Sequence, residues 1–384
     1  MKKRMKIIAL SLAVILLLPL TSMAGSAPAV TAEMSEMPCK SAILMDAETG
    51  TVLYEQNADE ALPPASVTKV MTLLLVMEAI DAGRICLTDM VRVSANAASM
   101  GGSQVFLEEG EEMCVEEMLK CVIIASANDC AVALAELVAG SEESFVAAMN
   151  ARASELGMKN THFENTNGLD DTVQNHVTSA RDIAIMSRAL IAHPKILEYS
   201  GIWMDTIRNG AFGLTNTNRL VRFYPGCTGL KTGSTARAGF CVSATAKRGG
   251  LSLVCVIMGA ESRDSRNASA AKLLDYGFAQ YETYRAAGGE CELPVVGSDK
   301  EKLLVRWPAF SVTVPKGSAS RVAVSRELPT YVQAPLEAGD CVGDVVYSLD
   351  GKEIGRVSAL AETEAEQIGF VGLFKRLLSR FLLL

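Results

Sequence analysis

The 384-residue chain is poor in aromatics, at 5%, and has no basic surplus, with 36 Lys and Arg against 44 Asp and Glu and a net charge of −8. The missing basic excess argues against a nucleic-acid partner, because a phosphate backbone is held chiefly by Lys and Arg. The acidity itself reads as ordinary solubility. No CxxC pair and no Cys/His cluster occurs, so neither a metal site nor a cofactor is expected. The chain holds 10 cysteines, which in an exported protein usually means disulfides. Their placement argues otherwise: Cys121 and Cys130 fall in an apolar, helix-like run, and Cys241 and Cys255 in strand-like runs. They read as small buried hydrophobes.

Length suits two or three domains, and 49% apolar residues suffice for a sizeable core. Lys2, Lys3, Arg4 and Lys6 precede an apolar run over residues 7–20, with small residues at Ser22, Ala24, Gly25 and Ala29. This is the pattern of a secretory signal, assigned to residues 1–24, with cleavage after Ala24 or Ala29. The run is short for a spanning helix, which disfavours the rival reading as an uncleaved anchor. The mature chain is therefore expected outside the cytoplasm.

Residues 42–45 and 51–54, separated by a turn, predict a β-hairpin. Pro63 and Pro64 then lead into an apolar run that places Ser66 at the start of a long buried helix. The pattern is largely helical from residue 81 to 193, clearest over 116–137 and 145–156. Strand signals follow at 239–246 and 251–258, then an amphipathic helix over 265–284. Strands at both ends around a helical insertion predict an α+β domain over residues 38–284: an antiparallel sheet flanked by helices, with a helical lobe and a site between them. Residues 288–362 read as a small all-β domain, with a hairpin turn at Asp350 and Gly351. In the tail, 368–384, Phe370, Leu373, Phe374, Leu377, Leu378, Phe381 and Leu382 share one helical face, and Lys375, Arg376, Ser379 and Arg380 the other. A basic amphipathic helix of this kind is expected to lie in a membrane surface.

Three short motifs carry the chemistry: Ser66-Val67-Thr68-Lys69, Ser126-Ala127-Asn128 and Lys231-Thr232-Gly233. Each is weak alone, but in this order they describe a serine acyl-transfer site. A serine hydroxyl needs a base, and the i, i+3 spacing brings Lys69 to the Ser66 hydroxyl on one helical face. The amine must be neutral, which burial and a second cation, Lys231, both favour. The helix N-terminus and the Ser66 N–H favour a developing oxyanion. Ser126 can relay a proton between Lys69 and the leaving amine, and Asn128 can bind a substrate amide. Lys231 and Thr232, on an edge strand, suit a substrate carboxylate, while Gly233 permits close backbone approach.

These segments resemble the low-molecular-weight penicillin-binding proteins, specifically the serine-type D-alanyl-D-alanine carboxypeptidases. The likeness extends to Gly101-Gly102-Ser103-Gln104, to Asn167-Gly168-Leu169, and to the run from His176 to Asp182. It covers residues 40–284, and the β domain and tail fit as well. The resemblance implies a β-lactamase/transpeptidase-like catalytic domain that removes the terminal D-Ala from peptidoglycan pentapeptide stems through a Ser66 acyl-enzyme. β-Lactams would acylate the same serine. By family position, the Ser234 N–H completes the oxyanion hole and Arg266 helps hold the substrate carboxylate, although Arg263 stands close by and could serve. His176 falls in a structural segment. Ser234 and Ala127 replace the His and Gly of some relatives. Three rivals are weighed against this reading: a class A-like β-lactamase using Glu164, an endopeptidase, and a non-catalytic muropeptide receptor.

Overall fold

The computed structural model describes residues 35–171 and 173–382; the signal segment assigned to residues 1–24 lies outside them. Five antiparallel strands form the central sheet, in the order Val52–Gln56, Ser41–Asp46, Leu251–Ala260, Gly239–Arg248 and Cys227–Thr235. Strand Ser41–Asp46 is buried along its whole length, and Leu251–Ala260 nearly so. Helices cover both faces, which is why these strands read as continuous rather than alternating apolar runs.

The two covering helices can be traced through single contacts. Helix Arg263–Gln280 packs on one face, where Gly277 lies so close that an added Cβ would stand 2.6 Å from Leu253 Cδ1 and 2.9 Å from Leu44 Cδ2. Helix Ala180–Ile191 packs on the other, with the Ser187 and Ser243 hydroxyls 2.7 Å apart. Behind it lies helix Lys69–Asp81, preceded by a 3₁₀ turn Ala65–Thr68 that carries Ser66.

The structure departs from the periodicity in three places. The single helix expected over 116–137 is broken. Helix Val115–Lys120 runs into a π-helical turn, Cys121–Ala125, the chain reverses at Ser126, and helix Asn128–Ala139 begins anew. π-Turns concentrate where function needs a re-aimed backbone, and an apolar run cannot reveal one because both halves of the helix stay buried. The region expected to be largely helical also holds a short antiparallel strand pair, Met90–Arg92 with Glu112–Cys114. Finally, the helix expected to reach Tyr284 ends at Gln280, and Tyr281–Ala286 is a strand paired with Phe310–Pro315.

That strand pair joins the β module to the sheet. Asp46 Oδ2 accepts from Thr313 Oγ1 at 2.7 Å and Thr283 Oγ1 at 3.3 Å, and Arg285 Nε donates to Glu48 at 2.9 Å. The module itself is a six-stranded sheet around Leu303, Val305, Trp307, Val345 and Tyr347. Its hairpin turns at Asp350 and Gly351, with φ of 51° and 82°, the doubly left-handed turn that matches strand twist. The tail forms helix Phe370–Phe381, with Phe370, Phe374, Leu377 and Phe381 exposed. Among the described residues no helix is long and apolar enough to cross a membrane. Cys121, Cys130, Cys241 and Cys255 are buried, as apolar cysteines should be, whereas Cys86 and Cys341 are exposed.

Tyr347 is buried and stacked on Phe310 at 4.1 Å between centroids. Tyr347→Ala should lower the unfolding free energy of the β module by about 3 kcal/mol in urea denaturation. The unfolding transition of the domain built on the central sheet should stay where it is. A matching shift of that transition would show that the two modules are not separable.

Candidate active site

The cleft lies where the edge strand, the Ser66 turn and the helical lobe meet. It measures about 610 Å³ and is lined by Ser66, Ser126, Thr232, Gly233 and Ser234, with Arg219, Arg263 and Arg266 at its rim. Trp203 and Phe223 form an aromatic wall, their rings edge to face at 6.1 Å. Among the described residues no carboxylate lines it. Glu164, the residue a β-lactamase-like water would need, instead has its carboxylate accepting from the Asn175 N–H at 2.9 Å.

Lys69 is the centre of the arrangement. It is fully buried, and its Nζ stands 3.0 Å from Ser66 Oγ, 2.6 Å from Asn128 Oδ1 and 2.8 Å from the Asn167 carbonyl. Asn128 Oδ1 and the Asn167 carbonyl can only accept. A neutral amine has two hydrogens and one lone pair. Two hydrogens satisfy those acceptors, and the lone pair is left facing the Ser66 hydroxyl. Burial, then the nearby Lys231 cation, pull the Lys69 pKa well below its ordinary value, with Asp129 opposing. Asp129 is held in place by accepting from the Val105 and Leu107 N–H groups at 3.0 and 3.1 Å.

Asn128 makes three contacts within the protein and keeps one side-chain amide hydrogen for a substrate. Its carbonyl accepts from Lys69, its amide donates to the Gly101 carbonyl at 2.7 Å, and its N–H donates to the Ser103 carbonyl at 2.7 Å. The side chain therefore orients the amine and ties the lobe together. Ser126 sits just before it in the left-handed region, φ 65°, and this reversal turns its hydroxyl out of the helix line into the cleft.

On the edge strand Lys231 is fully buried, with Nζ donating to the Thr232 carbonyl at 2.8 Å. Burial and then Arg266 bring its pKa down to about 7. Thr232 Oγ1 donates to Thr217 Oγ1 at 2.8 Å. Gly233 has no room for a side chain: an added Cβ would stand 2.7 Å from the Ser66 nitrogen and 2.8 Å from the Pro64 carbonyl oxygen. Ser234 follows at the cleft wall. Arg266 is buried and donates to Asn267 Oδ1 at 3.1 Å, whereas Arg263 is exposed. Both line the cleft.

Sequence reasoning passed over the loop of residues 215–219. Asn216 and Asn218 hold it, through the Ile202 carbonyl at 2.8 Å and the Gly229 carbonyl at 2.9 Å, so that Thr217 and Arg219 reach the cleft. The repeated Thr-Asn-Thr-Asn was the available signal. The Asn167 carbonyl was missed for a different reason, since backbone acceptors have no residue signature.

A serine hydroxyl beside a buried lysine amine, facing an edge strand rich in cation and hydroxyl groups, is the arrangement of a serine hydrolase. Comparison with known proteins narrows the class. The profile of the D-alanyl-D-alanine carboxypeptidase family matches residues 28–262, and that of the penicillin-binding protein 5 C-terminal domain residues 290–367. D-alanyl-D-alanine carboxypeptidase DacF of Bacillus subtilis is 43% identical over 345 residues, 88% of each chain. DacC of Escherichia coli is 37% identical over 354 residues, 89% of this chain and 88% of the relative. Penicillin-binding protein 5 from Haemophilus influenzae superposes with a TM-score of 0.78 at 34% identity, covering 86% of this chain and 98% of that one. Penicillin-binding protein D2 from Listeria monocytogenes, in its ampicillin-bound form, gives 0.59 at 31% identity, covering 64% and 99%. The chain belongs to the D-alanyl-D-alanine carboxypeptidase family of serine-type peptidases.

The coupling of the two lysines is measurable. Lys231→Met removes one cation and keeps the burial, so the Lys69 amine should hold its proton to a higher pH than in the unaltered protein. Titration of the Lys69 ε-methylene signal by NMR reads this directly. An unmoved midpoint would mean that burial alone sets the amine's ionisation.

Proposed function

We propose that the chain is an exported carboxypeptidase that removes the terminal D-Ala from peptidoglycan pentapeptide stems through an acyl-enzyme on Ser66, and that β-lactams acylate the same serine. The observation carrying this reading is the Lys69 Nζ to Ser66 Oγ separation of 3.0 Å, with the amine's other two positions filled by obligate acceptors.

In the forward step Ser66 Oγ attacks the carbonyl carbon of the penultimate D-Ala while Lys69 takes the hydroxyl proton. The oxyanion is stabilised by the N–H groups of Ser66 and Ser234, preorganised donors that act where charge develops. The proton passes through Ser126 to the leaving D-Ala nitrogen, the C–N bond breaks, and a water later hydrolyses the ester. The substrate carboxylate is matched by Lys231, Thr232 and Arg266. A protonated Lys231 at neutral pH would serve both as carboxylate partner and as the charge that keeps Lys69 neutral. β-Lactam acylation is supported by the similarity to the ampicillin-bound Listeria protein.

Export rests on the basic-then-apolar N-terminus and on the family's action at the cell wall. Membrane attachment rests on the tail helix. Its Phe370 and Phe381 are 83% and 91% exposed, while Arg376 donates to the Ser298 carbonyl of the β module at 2.7 Å. An apolar face left open beside basic residues suits a lipid headgroup boundary.

Ser66→Ala should abolish both D-alanine release from diacetyl-Lys-D-Ala-D-Ala and covalent penicillin labelling, with the fold intact by circular dichroism. Labelling that survives at another residue would overturn the nucleophile assignment. Separately, removal of residues 370–384 should move the protein from the membrane pellet to the supernatant. Continued sedimentation would place the anchor elsewhere.

A further inference from the structure

Two buried polar residues beside the nucleophile take no part in the steps above. Thr68 and His176 come from the nucleophile turn and from a separate loop, and their side chains meet at 2.7 Å, Thr68 Oγ1 to His176 Nε2. The direction of every proton in this contact is determined by its surroundings. The Glu164 N–H donates to His176 Nδ1 at 3.0 Å, so the ring proton sits on Nε2 and is donated to Thr68 Oγ1. The Thr68 hydroxyl proton then goes to the Ala65 carbonyl, 2.8 Å away. The ring is neutral across the working range: burial, above all, brings its pKa to about 4, with Glu164 and Asp170 pulling upward and His162 and Lys69 downward.

The acceptor at the end of this chain is unusual. Ala65 has φ 49°, a left-handed conformation that costs an L-residue about 1 kcal/mol or more and persists only where the surroundings over-determine it. Gly168 closes over the same carbonyl, since an added Cβ there would lie 1.9 Å from Ala65 O and 2.8 Å from Thr68 Oγ1. The Ala65 carbonyl and the Ser66 N–H belong to one planar peptide unit and point in opposite directions. Gripping the oxygen therefore aims the N–H, and that nitrogen lies against Gly233 of the edge strand.

We propose that His176 and Thr68 are positioning residues that hold the Ala65–Ser66 peptide so that its N–H faces the developing oxyanion and its serine faces Lys69. The inference rests on Ser66 being the nucleophile. It assigns the loop bearing His176 a part in acylation through Thr68, with no contact to substrate.

The test uses the full chain and two matched pairs of variants. Thr68→Val keeps the shape and removes the hydroxyl, and Thr68→Ser restores it. His176→Asn keeps an acceptor for the Glu164 N–H but falls short of Thr68, and His176→Gln restores the reach. Acylation by a fluorescent penicillin, kcat and KM for D-alanine release, and urea stability are measured on each.

Thr68→Val and His176→Asn should slow acylation and lower kcat roughly 10- to 100-fold, less than the roughly 100- to 1,000-fold for losing an oxyanion donor outright because the N–H is still present, with KM little changed. The Ser and Gln variants should recover most of the rate. The double variant Thr68→Val/His176→Asn should be no slower than the slower single, because both cut one chain. Wild-type acylation by Thr68→Val and His176→Asn, whatever their stability, would overturn the proposal, as would additive losses. If Thr68→Val does not fold, the Asn and Gln pair at His176 decides alone. A Ser66→Ala protein that still labels would instead remove the nucleophile reading on which the proposal stands. An inert Ser66→Ala protein beside a normal Thr68→Val protein would remove only the positioning role.

Discussion

A primary amine buried without water has to be either matched or neutral, and the catalytic half of this protein is arranged around that constraint at Lys69. Its partners come from three places: the hydroxyl of its own turn at Ser66, the helical lobe at Asn128, and the Asn167 carbonyl in the loop beyond the lobe. Removing any one would leave a buried donor or acceptor unpaired, at about 1–3 kcal/mol. The amine thus joins elements far apart in sequence, and the same burial that demands those partners lowers its pKa. Stability and reactivity are set by one contact.

The geometry around Ser66 follows from a second constraint, close approach. The edge strand can lie against the Ser66 turn only because residue 233 is glycine, and the loop beyond the lobe can close over the Ala65 carbonyl only because residue 168 is glycine. With the turn clamped from both sides, the left-handed Ala65 is retained. The helical lobe shows comparable tuning, because the π-turn at Cys121–Ala125 and the reversal at Ser126 bring the Ser126 hydroxyl to the cleft and the Asn128 amide to the Lys69 amine from an otherwise apolar run.

The β module is coupled through a small polar joint, where Asp46, Glu48 and Thr49 of the first hairpin meet Thr283, Arg285 and Thr313. None of these residues reaches the cleft. The joint fixes where the module and its tail helix leave the catalytic domain without feeding into the site chemistry.

Much of this was legible in the order of residues. The opening hairpin, the helix behind Ser66, the strands of the sheet and the amphipathic tail all follow from periodicity and turn chemistry, because local burial patterns repeat at 2 or 3.6 residues. The motif residues were legible too, since S-x-x-K encodes its geometry within one helical turn. What periodicity could not reveal is the break inside the run 116–137, because both halves remain buried, and the strand at Tyr281–Ala286, whose partner lies at Phe310–Pro315. Nor could it show that Asn128 accepts from Lys69, that the Asn167 carbonyl completes the amine, or that His176 reaches Ala65 through Thr68. The sequence by itself determined the chemistry available and the elements that carry it. Only the tertiary structure decided which groups meet, because those contacts join residues as far apart as 59, 98 and 108 positions, and no local rule acts over that distance.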